Sequence, residues 1–476
     1  MIKPHPIYDC WSDLYHIFAL TKEEQKIKIT KNSKRESILG NHKRRVVVTG
    51  LGPVTPVGIG KEAFWQSLIL GKSSFKRLEF PNRDMNQYRC RIGAPIEGFD
   101  LSHYVERSKH SKYFGKTSQF AIAATKLALE DAGIWVEKSE SGAEHSHEQK
   151  NEYQLKGIDP FRLGVILGVS VESMEILEHY HERFLSRGTR GISPFALPNI
   201  YLSAITSHVA QYFSIRGTSF ALSTACASAT HAMSNSFLQI QGGMEDVVVT
   251  GGADACLTPY VFGGFDVLRA MSTRNDEPQR ACRPFDRERD GFVMAEGAGV
   301  LVFEEMEHAQ RRGAHIYGEV VGFGMTADAF HLTEPDPDAQ ALGKAVRDSL
   351  FMAGISPEEV DYINPHGTST PLNDKVETRM IKEVFGKKAY EIPISATKSI
   401  TGHLMGAAGG VEAIATLLTI EMGIIHPTLN YECPDPECDL DYVPNKARKK
   451  AVRIGLSISA GFGGVNSTLL FKKFEE

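Results

Sequence analysis

The chain has 476 residues, 42% of them hydrophobic, and 43 glycines, which exceeds a single average domain and suits a large, tightly packed α/β protein. A formal net charge of −5 gives no reason to expect general nucleic-acid affinity, and no apolar run approaches the roughly 20 residues a membrane span needs. Seven cysteines (Cys10, Cys90, Cys226, Cys256, Cys282, Cys433, Cys438) form no CxxC and no disulfide-framework spacing, so a reducing compartment is expected, the cytoplasm first, with an organelle left open by the N-terminal extension.

That extension, residues 1–43, stands apart: it is Lys-rich between Lys22 and Lys34 but carries Asp9, Asp13, Glu23, Glu24 and Glu36. Those acids and the missing apolar core argue against a signal peptide and weaken a transit-peptide reading without excluding it. A solvated, partly helical arm is the plainer expectation. From residue 44 onward, strand-like runs alternate with helical spacing. Segments 44–51, 164–170, 219–225, 246–252 and 299–304 form one set, and 319–325, 360–365, 392–397, 452–459 and 467–472 another. Such alternation predicts largely parallel sheets covered by helices, in two halves, 44–300 and 301–476. A polar stretch at 137–156 holds His145 and His147 but no other obvious ligand, and reads as a surface insertion.

Within the first half, Ser223-Thr224-Ala225-Cys226-Ala227-Ser228-Ala229 puts a thiol where an apolar strand turns into a helix, on which Met233, Phe237 and Ile240 share one face. Unpaired N–H groups and the positive dipole end at a helix start favour a thiolate, below the free thiol value of about 8.5. The plainer reading is a buried structural cysteine. In the second half, Asn364-Pro365-His366-Gly367-Thr368-Ser369-Thr370 and Lys398-Ser399-Ile400-Thr401-Gly402-His403-Leu404-Met405-Gly406 each end a strand-like run in a histidine among small residues. Either histidine alone is more often a hydrogen-bonded core residue than a catalyst. Cys226 and His403 follow corresponding strands of the two sets, which points to a duplicated unit.

Two further motifs are declined. Gly461-Phe462-Gly463-Gly464 is followed by a strand-like run rather than a helix, so no helix N-terminus is available for a pyrophosphate. The Arg287 to Asp290 cluster reads as structural ion pairing.

Together the cysteine and the two histidine motifs closely resemble the β-ketoacyl-acyl-carrier-protein synthases, the elongating condensing enzymes of fatty acid synthesis, and most of all the synthase II type. The resemblance extends from about Arg44 to Lys473 and includes Met271-Ser272-Thr273-Arg274-Asn275 and Arg283-Pro284-Phe285-Asp286. It implies a thiolase-like fold of five layers in α-β-α-β-α order, with the active site where the halves meet. It further implies Cys226 as the acyl-carrying nucleophile, His366 and His403 as donors to an enolate oxygen, and backbone N–H groups of Cys226 and Phe462 as a second oxyanion hole. Phe462 is then a gate, and Thr368 and Thr370 hold the phosphopantetheine arm. Lys398 is expected beside the histidines and paired with Glu377, or else in a plain buried ion pair. No cofactor is implied beyond the carrier's own arm; a structural monovalent cation near Glu412 and Asn466 is the one metal expected. The implied partners are an acyl carrier protein and a second copy of the chain, joined through the strand before Cys226.

Departures from the family bear on the substrate. Gly168-Val169-Ser170-Val171-Glu172-Ser173 stands where synthase II proteins commonly read Gly-Ser-Gly-Ile-Gly-Gly, so Glu172 is expected to bring a carboxylate to an acyl pocket bordered by Val171 and Phe265. Ala460 replaces a common aromatic. Carrier docking is expected on a basic rim of Lys112, Lys116, Arg190 and Arg269, with Arg107, Lys109 and Arg187 nearby. Three functions stay open: fatty-acid elongation, a ketosynthase of a specialised polyketide or modified-fatty-acid pathway, and a non-catalytic partner subunit. The intact Cys226, His366 and His403 count against the last.

Overall fold

The computed structural model describes residues 44–106, 111–134, 136–138, 153–155 and 157–475. The 1–43 extension, Arg107, Lys109, His145 and His147 lie outside the described residues. Of the polar insertion, the two ends pair antiparallel as Val136–Lys138 against Tyr153–Leu155.

The strands that position the site are, in chain order, β1 (Val46–Thr55), β2 (Leu163–Gly168), β3 (Ser219–Leu222), β4 (Val247–Asp254), β5 (Gly297–Glu305), β6 (Gly318–Ala327), β7 (Tyr362–Asn364), β8 (Ile454–Gly461) and β9 (Val465–Lys472). Side by side they run β7-β8-β9-β6-β1-β5-β4-β2-β3. The helices include α1 (Lys116–Asp131), α2 (Met174–Arg187), α3 (Ala204–Phe213), α4 (Ser228–Gln241), α5 (Gln340–Ala353), α6 (Pro371–Phe385) and α7 (Ala408–Met422).

The expected duplication is written in the pairings. In the first half β1–β5 and β5–β4 are antiparallel, while β4–β2 and β2–β3 are parallel. In the second, β6–β9 and β9–β8 are antiparallel and β8–β7 parallel, and Ile363 of β7 bridges Ile394 in parallel. Taken in chain order within each half, the first strand lies beside the fifth, then come the fourth, second and third. The sheets are therefore mixed rather than largely parallel. In the second half the cause is a tight connection between β8 and β9, where Gly463 and Gly464 take φ +85° and +70° and fold the chain straight back. Segment 392–397 contributes only the Ile394 bridge, next to Pro393, which brings no N–H to a ladder.

The repeat reaches into the packing. β1 slips register between Val48 and Gly50, and β6 does so between Val320 and Gly322. Two residues on, a Cβ at Gly52 would stand 2.0 Å from the Ala124 carbonyl of α1, and one at Gly324 would stand 1.9 Å from the Ala345 carbonyl of α5. Glycine is required twice because each outer helix rests directly on strand backbone.

Between the half-sheets lie α4 and α7, which give the middle layer of the five. Contrary to the expectation that no apolar run approaches a membrane span, the stretch Met405–Met422 is long and apolar enough by length and composition, but 89% of it is buried inside the protein. An apolar surface all round is what a helix sandwiched between two sheets requires. α4 begins just after Cys226 and α7 just after His403, so the repeat brings the thiol and the imidazole to the same layer.

Candidate active site

The turn from β3 into α4 is built of small residues and is strained at one point. Ala225 takes φ +49°, a left-handed conformation uncommon for a residue with a side chain, which costs about 1 kcal/mol or more. The turn is held by the Thr224 N–H donating to Ser228 Oγ (2.9 Å) and the Ala227 N–H to the Thr224 carbonyl (3.1 Å). Cys226 is thereby presented at the head of α4, 6% exposed. Its thiol is not lowered as a helix start alone would have it. Burial pushes it up to about 12, outweighing the Lys398 cation and the Phe462 N–H that faces the sulfur.

His366 follows β7, with the preceding Pro365 fixing φ. Glu377 of α6 accepts the backbone N–H groups of His366 (2.6 Å) and Gly367 (2.8 Å). It shapes the loop and is not the partner of Lys398. Lys398 instead forms a buried ion pair with Glu412 of α7, donates to the His366 carbonyl at 2.6 Å, and stands 3.4 Å from His366 Nδ1. Both carboxyls are pushed up to about 7, chiefly by burial.

His403 lies at 5.5 Å from His366 between ring centroids, with the planes at 82°. The Met405 N–H donates to His403 Nδ1 at 3.2 Å, across a backbone in which Met405 takes φ +50°. Since Nδ1 accepts in both rings, each carries its proton on Nε2. Burial, aided by the Lys398 charge, holds both histidines well below their usual range, so both are neutral donors at pH 7.

Cys226, His366, His403, Thr368, Thr370 and Phe462 line one cavity of about 350 Å³. Thr368 and Thr370 hydroxyls are 3.0 Å apart. Phe462 stacks on Phe265 at 5.9 Å, Phe265 meets Phe292 edge-on at 5.8 Å, and Phe292 meets His403 at 5.2 Å, so an aromatic chain runs from the expected gate to the second histidine.

The other expected site residues divide between this cavity and other places. Phe265 lines the cavity, but Val171 and Glu172 do not. Glu172 is buried and turned to α1, where its Oε1 accepts the hydroxyls of Ser118 (3.0 Å) and Ser173 (2.7 Å). Ser173 beside it takes φ +45°. Burial pushes the Glu172 carboxyl up to about 8. Arg269 stands at the cavity, whereas Lys112 and Lys116 line a separate groove of about 310 Å³ that includes Phe195. Arg190 is exposed in the turn after α2. The two residues expected near a cation are held by different partners, Glu412 by Lys398 and Asn466 by Asp328 Oδ1 at 2.6 Å. The Arg287 to Asp290 cluster is structural in its ties: Arg289 donates to Asp435 at 2.7 Å, and Asp290 accepts from the Ser272 hydroxyl at 2.7 Å. Sequence reasoning missed Asp254, an acid at the end of an otherwise apolar strand, and missed Glu412 as the lysine's partner.

Known proteins match this arrangement at both levels. Residues 43–309 match the family description "Beta-ketoacyl synthase, N-terminal domain" and residues 317–432 match "Beta-ketoacyl synthase, C-terminal domain". The chain is 40% identical over 433 residues to a protein of Synechocystis sp. named 3-oxoacyl-[acyl-carrier-protein] synthase 2, covering 91% of this chain and 99% of that one. A Coxiella burnetii protein of the same name is 40% identical over 434 residues, covering 90% and 99%. Among solved structures, a β-ketoacyl synthase from Burkholderia phymatum superimposes with a TM-score of 0.80 at 33% identity, covering 91% of this chain and all of that one. A type II polyketide ketosynthase, solved in complex with its acyl carrier protein and bound to the hexaketide, gives 0.79 at 33% identity, with 91% and 100% covered. Matched in both halves, in order, and over nearly the full length of its relatives, the chain belongs to the β-ketoacyl synthase family.

Proposed function

We propose that this protein elongates acyl chains in fatty acid biosynthesis, condensing an acyl-carrier-protein thioester with malonyl-carrier protein. The Cys226 sulfur attacks the acyl carbonyl carbon, the carrier's thiol leaves with the proton, and the acyl group remains as an enzyme thioester. Cleavage of the malonyl C–COO⁻ bond then releases CO2 and leaves its electron pair in an enolate, whose oxygen takes the Nε2–H groups of His366 and His403. The enolate carbon attacks the acyl-Cys226 carbonyl, and the sulfur departs from a β-keto product two carbons longer. The observation that carries this reading is the pair of buried histidines, each facing a donor at Nδ1, that line one cavity with Cys226.

Fatty-acid elongation is favoured over a polyketide role because the curated relatives at 40% identity are named synthase 2, against 33% for the polyketide structure. The carrier is received at the mouth near Arg269, with the arm passing Thr368 and Thr370. The protein works as a homodimer joined along β3. In support, β3 ends the sheet order and Ser219 is exposed. Helix α2 elsewhere in the same half buries none of its side chains and leaves Phe184 and Leu185 open. An unpaired strand edge of this kind calls for cover. The test is to incubate the protein with acyl- and malonyl-carrier proteins and determine product mass: a β-ketoacyl chain longer by two carbons supports the reading, and unchanged substrates contradict it.

A further inference from the structure

Asp254, the last residue of β4, is fully buried and lies outside the cavity lining. Its Oδ2 accepts three donors, the backbone N–H of Ser170 (2.9 Å), the Ser170 hydroxyl (2.5 Å) and the backbone N–H of Gly406 (2.6 Å). Oδ1 faces the Val171 N–H at 3.4 Å. Ser170 follows β2 in the first half of the chain, whereas Gly406 follows His403 in the second. One carboxylate oxygen therefore ties the two halves together beside the catalytic layer. The fit is close: a Cβ at Gly406 would stand 2.4 Å from the Ser170 nitrogen and 2.6 Å from Asp254 Oδ2.

The consequence runs along the four residues from His403 to Gly406. The N–H that Asp254 holds belongs to the Met405–Gly406 peptide. Met405 itself is kept at φ +50°, which a residue with a side chain rarely adopts. In that conformation the Met405 N–H points back to His403 Nδ1 at 3.2 Å. Released from Asp254, Met405 relaxes toward the right-handed region and the N–H swings off the ring. His403 is then free to take the other tautomer, with a proton on Nδ1 and a bare lone pair on Nε2 facing the cavity. A lone pair there repels an enolate oxygen instead of stabilising it.

We propose that Asp254 is a positioning residue for decarboxylation: by holding the Gly406 N–H it keeps Met405 left-handed and so fixes His403 as the Nε2–H tautomer. An ionised carboxylate suits this work, since it accepts several donors at one oxygen without bringing a donor of its own. The inference rests on the enolate role of His403 given above.

The test compares Asp254→Asn, which keeps the shape, with Asp254→Ala, using three readouts on the same preparations: acyl transfer to Cys226, CO2 release from malonyl-carrier protein, and nitrogen NMR of isotope-labelled histidine rings. In Asp254→Asn we expect CO2 release to fall about 100-fold, the scale of an approximately 1 Å misplacement of a reacting group, while transfer to Cys226 stays within about threefold. The His403 ring signals are expected to shift from the single Nε2–H pattern to a mixture. If Asp254→Ala fails to fold, the Asn variant decides alone. Equal losses in both half-reactions, unchanged CO2 release, or an unchanged tautomer pattern overturns the proposal. His403→Ala serves as the control: undiminished CO2 release there overturns the enolate role itself, and the NMR pattern of Asp254→Asn still decides whether the carboxylate sets the tautomer.

Discussion

Lys398 Nζ stands 3.4 Å from His366 Nδ1 and donates to the same residue's carbonyl at 2.6 Å, so the cation sits behind the ring on the side away from the proton it offers. Its charge opposes protonation of His366 and adds to what burial does. Glu412 neutralises the lysine in a fully buried pair. Removing one partner of such a pair leaves an uncompensated charge, so Glu412→Ala is expected to lose about 3–5 kcal/mol in urea unfolding. Replacing both, as in Lys398→Met with Glu412→Leu, is expected to recover most of that stability but not CO2 release, because His366 still lacks its Nδ1 donor. A double variant as active as it is stable would show the lysine to be structural only.

The Cys226 thiol, pushed up to about 12 by burial, is protonated in the resting protein. Below the thiol pKa the thiolate fraction rises about tenfold per pH unit, so alkylation of Cys226 by iodoacetamide is expected to climb steadily from about pH 7 to about pH 9. A plateau near pH 7 would mean that the helix start prevails over burial.

Glu172 gives a stability prediction with a definite sign. Its folded value, about 8, lies above the ordinary 4.5. The folded state therefore holds a proton that the unfolded state loses, and this contribution is present below about 4.5 and lost as pH rises through about 8. Glu172→Gln mimics the neutral acid and does not titrate. Its stability relative to the parent is expected to grow from about pH 5 to about pH 8, by about 1–4 kcal/mol, and then level off. Urea midpoints of both proteins across that range check it; a flat difference would mean that Glu172 is ionised in place. With the carboxylate turned to Ser118 rather than into the cavity, the same variant is expected to leave chain-length preference unchanged, which acyl-carrier competition assays read.

Much of the site was legible in sequence because its determinants are local. The strand-to-helix turn at Cys226, the histidine ending β7 and the histidine before α7 each declare themselves in a few residues of apolar run, small residues and helix start. The fold was legible for a related reason: apolar runs come in two matching sets. What failed to show was set by long-range geometry. Glu377 lies 21 residues before Lys398 and Glu412 lies 14 after it; only the packing of α6 and α7 decides which carboxylate meets the lysine. Glu172 misled for the same reason, since Ser118, whose hydroxyl it accepts, lies 54 residues before it and only the packing of α1 brings the two together. The mixed sheets escaped because periodicity reports burial and not strand direction.

The central claim, that Cys226 carries the acyl group while the histidine pair governs loss of CO2, is tested most directly by following both half-reactions in His403→Ala. Peptide mass spectrometry reads the acyl group on Cys226, and CO2 release from malonyl-carrier protein is timed on the same sample. Loss of one oxyanion donor costs about 10²- to 10³-fold. The account predicts an acylated Cys226 with CO2 release lowered by that factor; undiminished CO2 release, or an acyl group found on Cys256 or Cys282 in place of Cys226, would contradict it.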